Sequence, residues 1–452
     1  MRLRPLLVLG GTAVLALTQP LFAPVRAAAA VPVASVYLQN YASGLNAADS
    51  GGTVAAHNPK GGEDHQQWTP AAVSDGYQLR NADESGRCLG RSGTSAVTAD
   101  CGADGTTWTI SAGADNTYTV GVPGTSQFLT GVAGSATVQT GSGGDQARWY
   151  LTPVSYATTG MPSADTRTLD QVTFLTAHNA FANGADGNFA SFPVSLFPNQ
   201  SRGVAQQLTD GVRGFMLDDY TVSGRAVLCH NSCDGVSNPA PLATDLQRMV
   251  DFLKAHPGQF ATVFLEDYAS SDVLKSSLAS VNGLSDVLYR PDQDGVAANG
   301  WPTMAELASR GKQLLVFSDR TRASDLASGY ATRDTFGVMY QREWTVENYW
   351  SMGAGIGDSD WSCYSRWGTD RPLTTDSAAF HPLFVMNHFR DVPISATITN
   401  DNGKLQNRAQ NFCTQAARKK PNYLAVDRYE LGSPAPLGTV DALDSYVLAP
   451  GQ

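Results

Sequence analysis

Tyr37, Tyr77 and Tyr118 are spaced by 40 and 41 residues, and Trp68, Trp108 and Trp149 repeat the same two intervals. A period of this length restricts the first third of the chain to copies of one small unit. Each copy opens on alternating β-forming residues ("VYLQN", "GYQLRN", "TYTVG") and closes on a tryptophan ("QQWTP", "TTWTI", "ARWYL"). Glycine-rich turns split the interior into short strands. A unit this small cannot bury its own apolar face, so the three are expected to close on one another as one all-β domain over residues 31–155. The tryptophans are read as core. Sugar binding needs exposed aromatics beside Asp/Asn pairs, and the sequence does not place those.

This repeat resembles the ricin-B-type β-trefoil lectins. Their Gln-x-Trp signature stands as Gln66-Gln67-Trp68 and decays to Thr106-Thr107-Trp108 and Ala147-Arg148-Trp149. "RCLGRSGTSAVTADC" resembles the family's disulfide loop within a repeat. The resemblance implies a β-trefoil fold with a glycan as its class of partner.

Residues 1–30 read as a signal peptide. Arg2 and Arg4 precede the apolar run "PLLVLGGTAVLALTQPLF", and "VRAAAAVPVA" offers small-residue cleavage sites. The protein is therefore expected to be secreted. The chain carries a net charge of −10, and cleavage after Ala30 removes three arginines and no acid, leaving the rest more acidic still. Such a protein is a poor nucleic-acid binder and is not drawn to anionic membranes by charge. Six cysteines in an exported chain suit disulfides. Proximity favours Cys88 with Cys101 and Cys229 with Cys233, leaving Cys363 and Cys413. Zinc is the alternative, although no paired CxxC spacing exists.

Residues 160–452 follow a different pattern, in which apolar β-rich runs alternate with helical ones. Eight candidate strands are "VTFLTAH", "GFMLDDY", "AVLCH", "TVFLEDY", "KQLLVFSD", "FGVMYQ", "LFVMNHF" and "YLAVDRY". Leu242, Leu246, Met249, Val250 and Leu253 have the spacing of a helix with one apolar face. The expectation is a multidomain chain, a β-trefoil followed by an α/β TIM-type barrel. The link between the second and third strands is too short for a crossover helix, so the barrel should be distorted there.

Chemistry in such barrels sits at the carboxyl ends of the strands. Those ends read His178-Asn179, Asp218-Asp219, His230, Glu266-Asp267, Asp319, Asn387-His388 and Asp427. Two histidines near strand ends suit paired proton transfer near neutral pH, as in cleavage of a phosphodiester by its own neighbouring hydroxyl. His57, His65, His256 and His381 fall elsewhere and are assigned surface or structural roles.

Residues 165–432 resemble the phosphatidylinositol-specific phospholipase C X-type barrel, in its secreted phosphodiesterase branch. The segments that carry this are "LTAHNAFA", "QLTDGVRGFMLDDY", "VLCHNSC", "FLKAHPGQFATVFLEDY", "GKQLLVFSD", "VENYW", "VMNHF" and "PNYLAVDRYELG". The resemblance implies His178 as general base, His230 as general acid and Asp427 as the carboxylate behind the first histidine, acting on a phospholipid or inositol phosphodiester. Asn179, Asp218 and Glu266 match the family's calcium-dependent pattern and are oxygen ligands suited to a hard cation. Met216 departs from it, standing where that pattern has a glutamate. Otherwise Asp218 and Glu266 pair with a base such as Arg213, or Arg213 binds the substrate phosphate in place of calcium. "NFASFPVSLFPNQ", residues 188–200, has too many apolar groups for an ordinary loop. It either enters a lipid interface or covers the barrel mouth. Two competing readings are a glycan-binding protein with an inert barrel and a glycerophosphodiesterase. The second is disfavoured because "HNA" and "MLD" stand where His-Arg-Gly and Glu-x-Asp are expected.

Overall fold

A computed structural model describes residues 30–132, 138–164 and 166–449. The signal-peptide assignment therefore lies, Ala30 apart, outside the described residues.

The tyrosine and tryptophan repeat builds a closed β structure. Among the described residues, twelve strands form one sheet, closed by antiparallel pairing of Val36–Asn40 with Arg148–Pro153. Trp68, Trp108 and Trp149 are fully buried. Each indole N–H donates to a main-chain carbonyl some twenty residues upstream, those of Ala47, Leu89 and Leu129, at 2.8, 2.8 and 2.9 Å. Burying a tryptophan requires a partner for its one polar atom, and the threefold repeat supplies the same kind of partner three times. All six cysteines are paired, as Cys88–Cys101, Cys229–Cys233 and Cys363–Cys413. That excludes zinc at these thiols.

The second region is the barrel, with strands numbered here from its start. They are β1 Phe174–Ala177, β2 Gly214–Val222, β3 Arg225–Leu228, β4 Ala261–Asp267, β5 Leu314–Ser318, β6 Met339–Tyr340, β7 Thr345–Glu347, β8 Leu383–His388 and β9 Tyr423–Val426. Eight run parallel, in the spatial order β6-β5-β4-β2-β1-β9-β8-β7. Two details correct the sequence reading. "AVLCH" is not a barrel stave: β3 runs antiparallel to β2 in a hairpin, with Asp219 opposite Leu228 and Val222 opposite Arg225. The eighth stave is instead β7, three residues within "TVENYW". No ladder joins β6 to β7, so the ring of main-chain hydrogen bonds has one open seam.

The amphipathic pattern at 242–253 forms helix α1, Leu242–Ala255, and buries Leu242, Leu246, Met249, Val250 and Leu253. The two regions are fastened together. Gln39 donates to the carbonyl of Ala416 at 2.7 Å and Gln415 to that of Val154 at 3.2 Å. Thr158–Gly160 pairs with Tyr446–Leu448.

Candidate active site

The carboxyl ends of the staves surround a cavity of about 430 Å³, lined by His178, Asn179, Asp218, His230 and Glu266 among others. Register explains this selection. Asp218 on β2 lies beside Glu266 on β4, and Asp219 beside Asp267. Side chains alternate along a strand, so one pair faces the cavity and the other faces outward. Asp267 is buried against Arg333, and Asp219 is fully buried. His388 likewise turns away, its Nε2 bonded at 2.9 Å to the carbonyl of Asp401. The polar strand ends thus divide into a cavity set and a structural set. His57, His65, His256 and His381 do not line the cavity.

His178 follows β1 directly, and its main-chain N–H donates to the Val426 carbonyl on β9 at 3.0 Å. Its Nδ1 lies 2.8 Å from Asp427 Oδ1. With Nδ1–H donating to that carboxylate, Nε2 keeps its lone pair. The ring stacks on Phe389 at 3.5 Å and 5°. Asn199 donates to the same Asp427 oxygen at 2.9 Å. His230 stands two residues beyond the end of β3. β3 pairs with the carboxyl half of β2 on the edge away from β4, the edge that β1 pairs with further back, so the antiparallel return brings His230 towards His178. Burial and the neighbouring His178 hold its pKa down to about 4.

The opposite wall is acidic. Burial, with Glu266 and Asp319 close by, pushes the Asp218 carboxyl well above the usual carboxylate range. Tyr268 donates its hydroxyl to Glu266, and its ring stacks on Tyr220 at 4.6 Å. Among the described residues, neither Asp218 nor Glu266 has a Lys, Arg or His within salt-bridge distance, and no three His, Cys, Asp or Glu side chains group tightly enough to hold an ion by themselves. Two carboxylates without a cationic partner and the Asn179 amide remain as an oxygen donor set of the kind a hard cation takes.

Arg213 is not in this cavity. It precedes β2, at the amino end of the barrel, where it donates to Gln259 at 2.8 Å and to the carbonyls of Leu208 and Val212 at 2.7 Å each. It can neither reach a phosphate at the mouth nor pair with Asp218 or Glu266. The cavity's cations are Arg366 and Arg390, which the sequence reading did not single out. Arg366 Nη1 lies 2.9 Å from both oxygens of Glu347, a buried carboxylate also bonded by Gln341 and Asn387 at 2.8 Å each. In the 188–200 loop, Asn199 lines the cavity, Phe192, Leu196 and Phe197 are exposed, and Phe189 is buried.

Residues 166–438 match the PI-PLC X 1 family profile, more than half of the chain. The chain belongs to the PI-PLC X family. Residues 64–140 match the ricin-type β-trefoil lectin domain-like profile. A PI-PLC X domain-containing protein of Arabidopsis thaliana is 28% identical over 264 residues, 58% of each chain. An uncharacterized secreted protein of Arthroderma benhamiae is 27% identical over 286 residues, 59% of each. The chain thus spans under two thirds of the length of these relatives. Among solved structures, phosphatidylinositol-specific phospholipase C from Staphylococcus aureus aligns at 12% identity and a TM-score of 0.39, over 62% of this chain and 94% of that one. A ricin B-like lectin of Macrolepiota procera in complex with lactose aligns at 21% identity and a TM-score of 0.24, over 27% and 96%.

Proposed function

We propose that the barrel is a phosphodiesterase that cleaves the headgroup phosphodiester of an inositol-type phospholipid. The observation that carries this is the meeting of two imidazoles in one cavity, one of them backed by a carboxylate. In this reading Nε2 of His178 takes the proton of the headgroup 2-hydroxyl as its oxygen attacks phosphorus. The bond from phosphorus to the glycerol oxygen breaks, and His230 gives that oxygen a proton. Asp427 keeps His178 in the required tautomer and offsets its charge once protonated. His230 must be protonated to act. Burial and His178 hold its pKa at about 4, which leaves it neutral near pH 7, and an anionic diester beside it raises it.

Asn179, Asp218 and Glu266 would hold calcium, which when bound offsets charge building on the phosphate oxygens. Arg366 adds a fixed positive charge to the same cavity. The exposed Phe192, Leu196 and Phe197 suit brief contact with a lipid surface. The β-trefoil is assigned a glycan partner. Secretion is consistent with three disulfides and no free cysteine among the described residues.

Phosphorus NMR of phosphatidylinositol treated with the protein tests the reading. A cyclic inositol phosphate is the expected product. Unchanged lipid at high protein concentration favours an inert barrel, and release of glycerol phosphate favours the glycerophosphodiesterase reading.

A further inference from the structure

The two cavity histidines are held by different means. His178 is fixed through its ring, by Asp427 and by the stacked Phe389. The His230 ring has no such hold, for its Nδ1 is buried without a hydrogen-bond partner. What places His230 is the main chain around it. Cys229 and Cys233 are bridged across only four positions, closing a loop around His230, Asn231 and Ser232. The His230 N–H donates to the Phe189 carbonyl at 2.7 Å, and the Tyr220 hydroxyl donates to the Asn231 carbonyl at 2.7 Å. Asn231 is left-handed, with φ 68°, which lets the chain turn within so short a loop. The Cys229 N–H donates to the Asp218 carbonyl at 3.2 Å, anchoring one end of the bridge to β2.

We propose that the Cys229–Cys233 bridge is the positioning element for His230, fixing the imidazole against the leaving group. This rests on the reading of His230 as the proton donor. Loop length argues for it. A disulfide stabilises the whole fold less as the loop it closes shortens. The other two bridges span 13 and 50 positions. The bridge at four positions therefore does least for global stability, yet it bears directly on one side chain of the cavity. Beyond Ser232 the chain has no regular structure until α1, and Asp234, Gly235, Ser237 and Asn238 are exposed. Without the bridge, a single side-chain bond among the described residues, from the Tyr220 hydroxyl to the Asn231 carbonyl, ties the residues just after His230 to β2.

The test compares two substrates, an inositol phosphodiester with an alkyl leaving group and one with a 4-nitrophenyl leaving group. Nitrophenolate departs without a proton, so only the alkyl substrate depends on a placed acid. For the double variant Cys229→Ala/Cys233→Ala, kcat on the alkyl substrate is expected to fall about 10–100-fold, part of the usual contribution of a general acid, and kcat on the nitrophenyl substrate less than about 3-fold, with KM near wild type for both. An equal loss on both substrates, or no loss on either, overturns the proposal. His230→Ala is the control: if its loss of turnover is not concentrated on the alkyl substrate, the acid assignment has failed, and if wild type cleaves neither substrate, the functional reading has failed.

Should the double variant not fold, the bridge can be opened in the native protein by a dithiol. Two electrons and two protons pass to the bridge, leaving two thiols and the cyclic disulfide of the reagent. Cys233 is half-buried, whereas Cys363 and Cys413 are both fully buried, and alkylation mapping identifies the opened bridge. The same selective loss, restored on reoxidation, supports the proposal. Unchanged alkyl turnover with Cys229 and Cys233 alkylated overturns it.

Discussion

His178 Nδ1 lies 2.8 Å from Asp427 Oδ1, one position beyond the paired Ala177 and Val426 of β1 and β9. First and last strands of the barrel thus deliver an imidazole and a carboxylate to each other through register alone. Asp427→Asn keeps the shape but removes the charge and the fixed tautomer. Turnover is expected to fall about 10²–10⁴-fold with little change in melting temperature. Steady-state kinetics beside a thermal melt check this, and near-normal turnover would mean that the carboxylate only supports the fold.

His178→Ala and His230→Ala should each remove most activity, by about 10²–10⁴-fold for a lost acid or base. The double variant should lose little more than either single variant, because the two act in one step. Additive losses in this cycle would place the histidines in separate roles.

If Asn179, Asp218 and Glu266 hold calcium as proposed, activity should depend on the ion. With Met216 contributing no carboxylate, affinity should sit near the weak end for calcium sites, about 10⁻⁴–10⁻³ M. Activity is expected to fall with chelator and return with calcium, and Glu266→Gln should shift the curve to higher calcium. Full turnover in excess chelator would rule out the ion and leave Arg366 as the phosphate's counter-charge.

Stability should depend on pH through His388. Burial and the adjacent Arg408 hold its folded pKa at about 3, below the ordinary 6.5. Between those values the unfolded chain takes up a proton that the folded chain refuses. Stability is therefore whole above about pH 6.5 and falls as pH drops towards 3. His388→Gln should flatten that slope, while His230, depressed in the same direction, keeps part of it. Urea midpoints at pH 7 and pH 4 for both proteins measure the difference.

Gly61 sets how closely the two regions meet. A Cβ there would stand 1.8 Å from the Asn411 carbonyl oxygen, so Gly61→Ala must push the β-trefoil off the barrel. A loss of about 1–3 kcal/mol is expected, in the range of other overpacked sites. Denaturant melts of wild type and variant decide it, and an unchanged midpoint would show that the contact yields freely.

The β-trefoil was readable because its period is carried by tryptophans, whose size commits them to the core. The cavity was readable in part because polar groups at strand ends stand out against β-forming runs. Which of each adjacent pair faces inward was not readable, since Asp218 and Asp219 differ only in the register of β2. The antiparallel turn of β3 was foreshadowed by its short link, but "AVLCH" still has the composition of a stave. Three residues of β7 are too few to show a pattern. Arg213 sits one residue before β2, so the strand that carries Asp218 to the mouth carries Arg213 to the far end. Arg366 and Asn199 come from irregular segments, where no periodicity says which way a side chain points.

The open seam between β6 and β7 leaves one wall of the cavity laced by side chains, with Gln341, Asn387 and Arg366 all gathered on the Glu347 carboxylate. A wall sewn this way can be retailored one residue at a time. Changing a knot there alters the width and polarity of the cavity while the main-chain ladders on the other sides stay as they are, and what the cavity accepts can drift without the barrel having to be rebuilt.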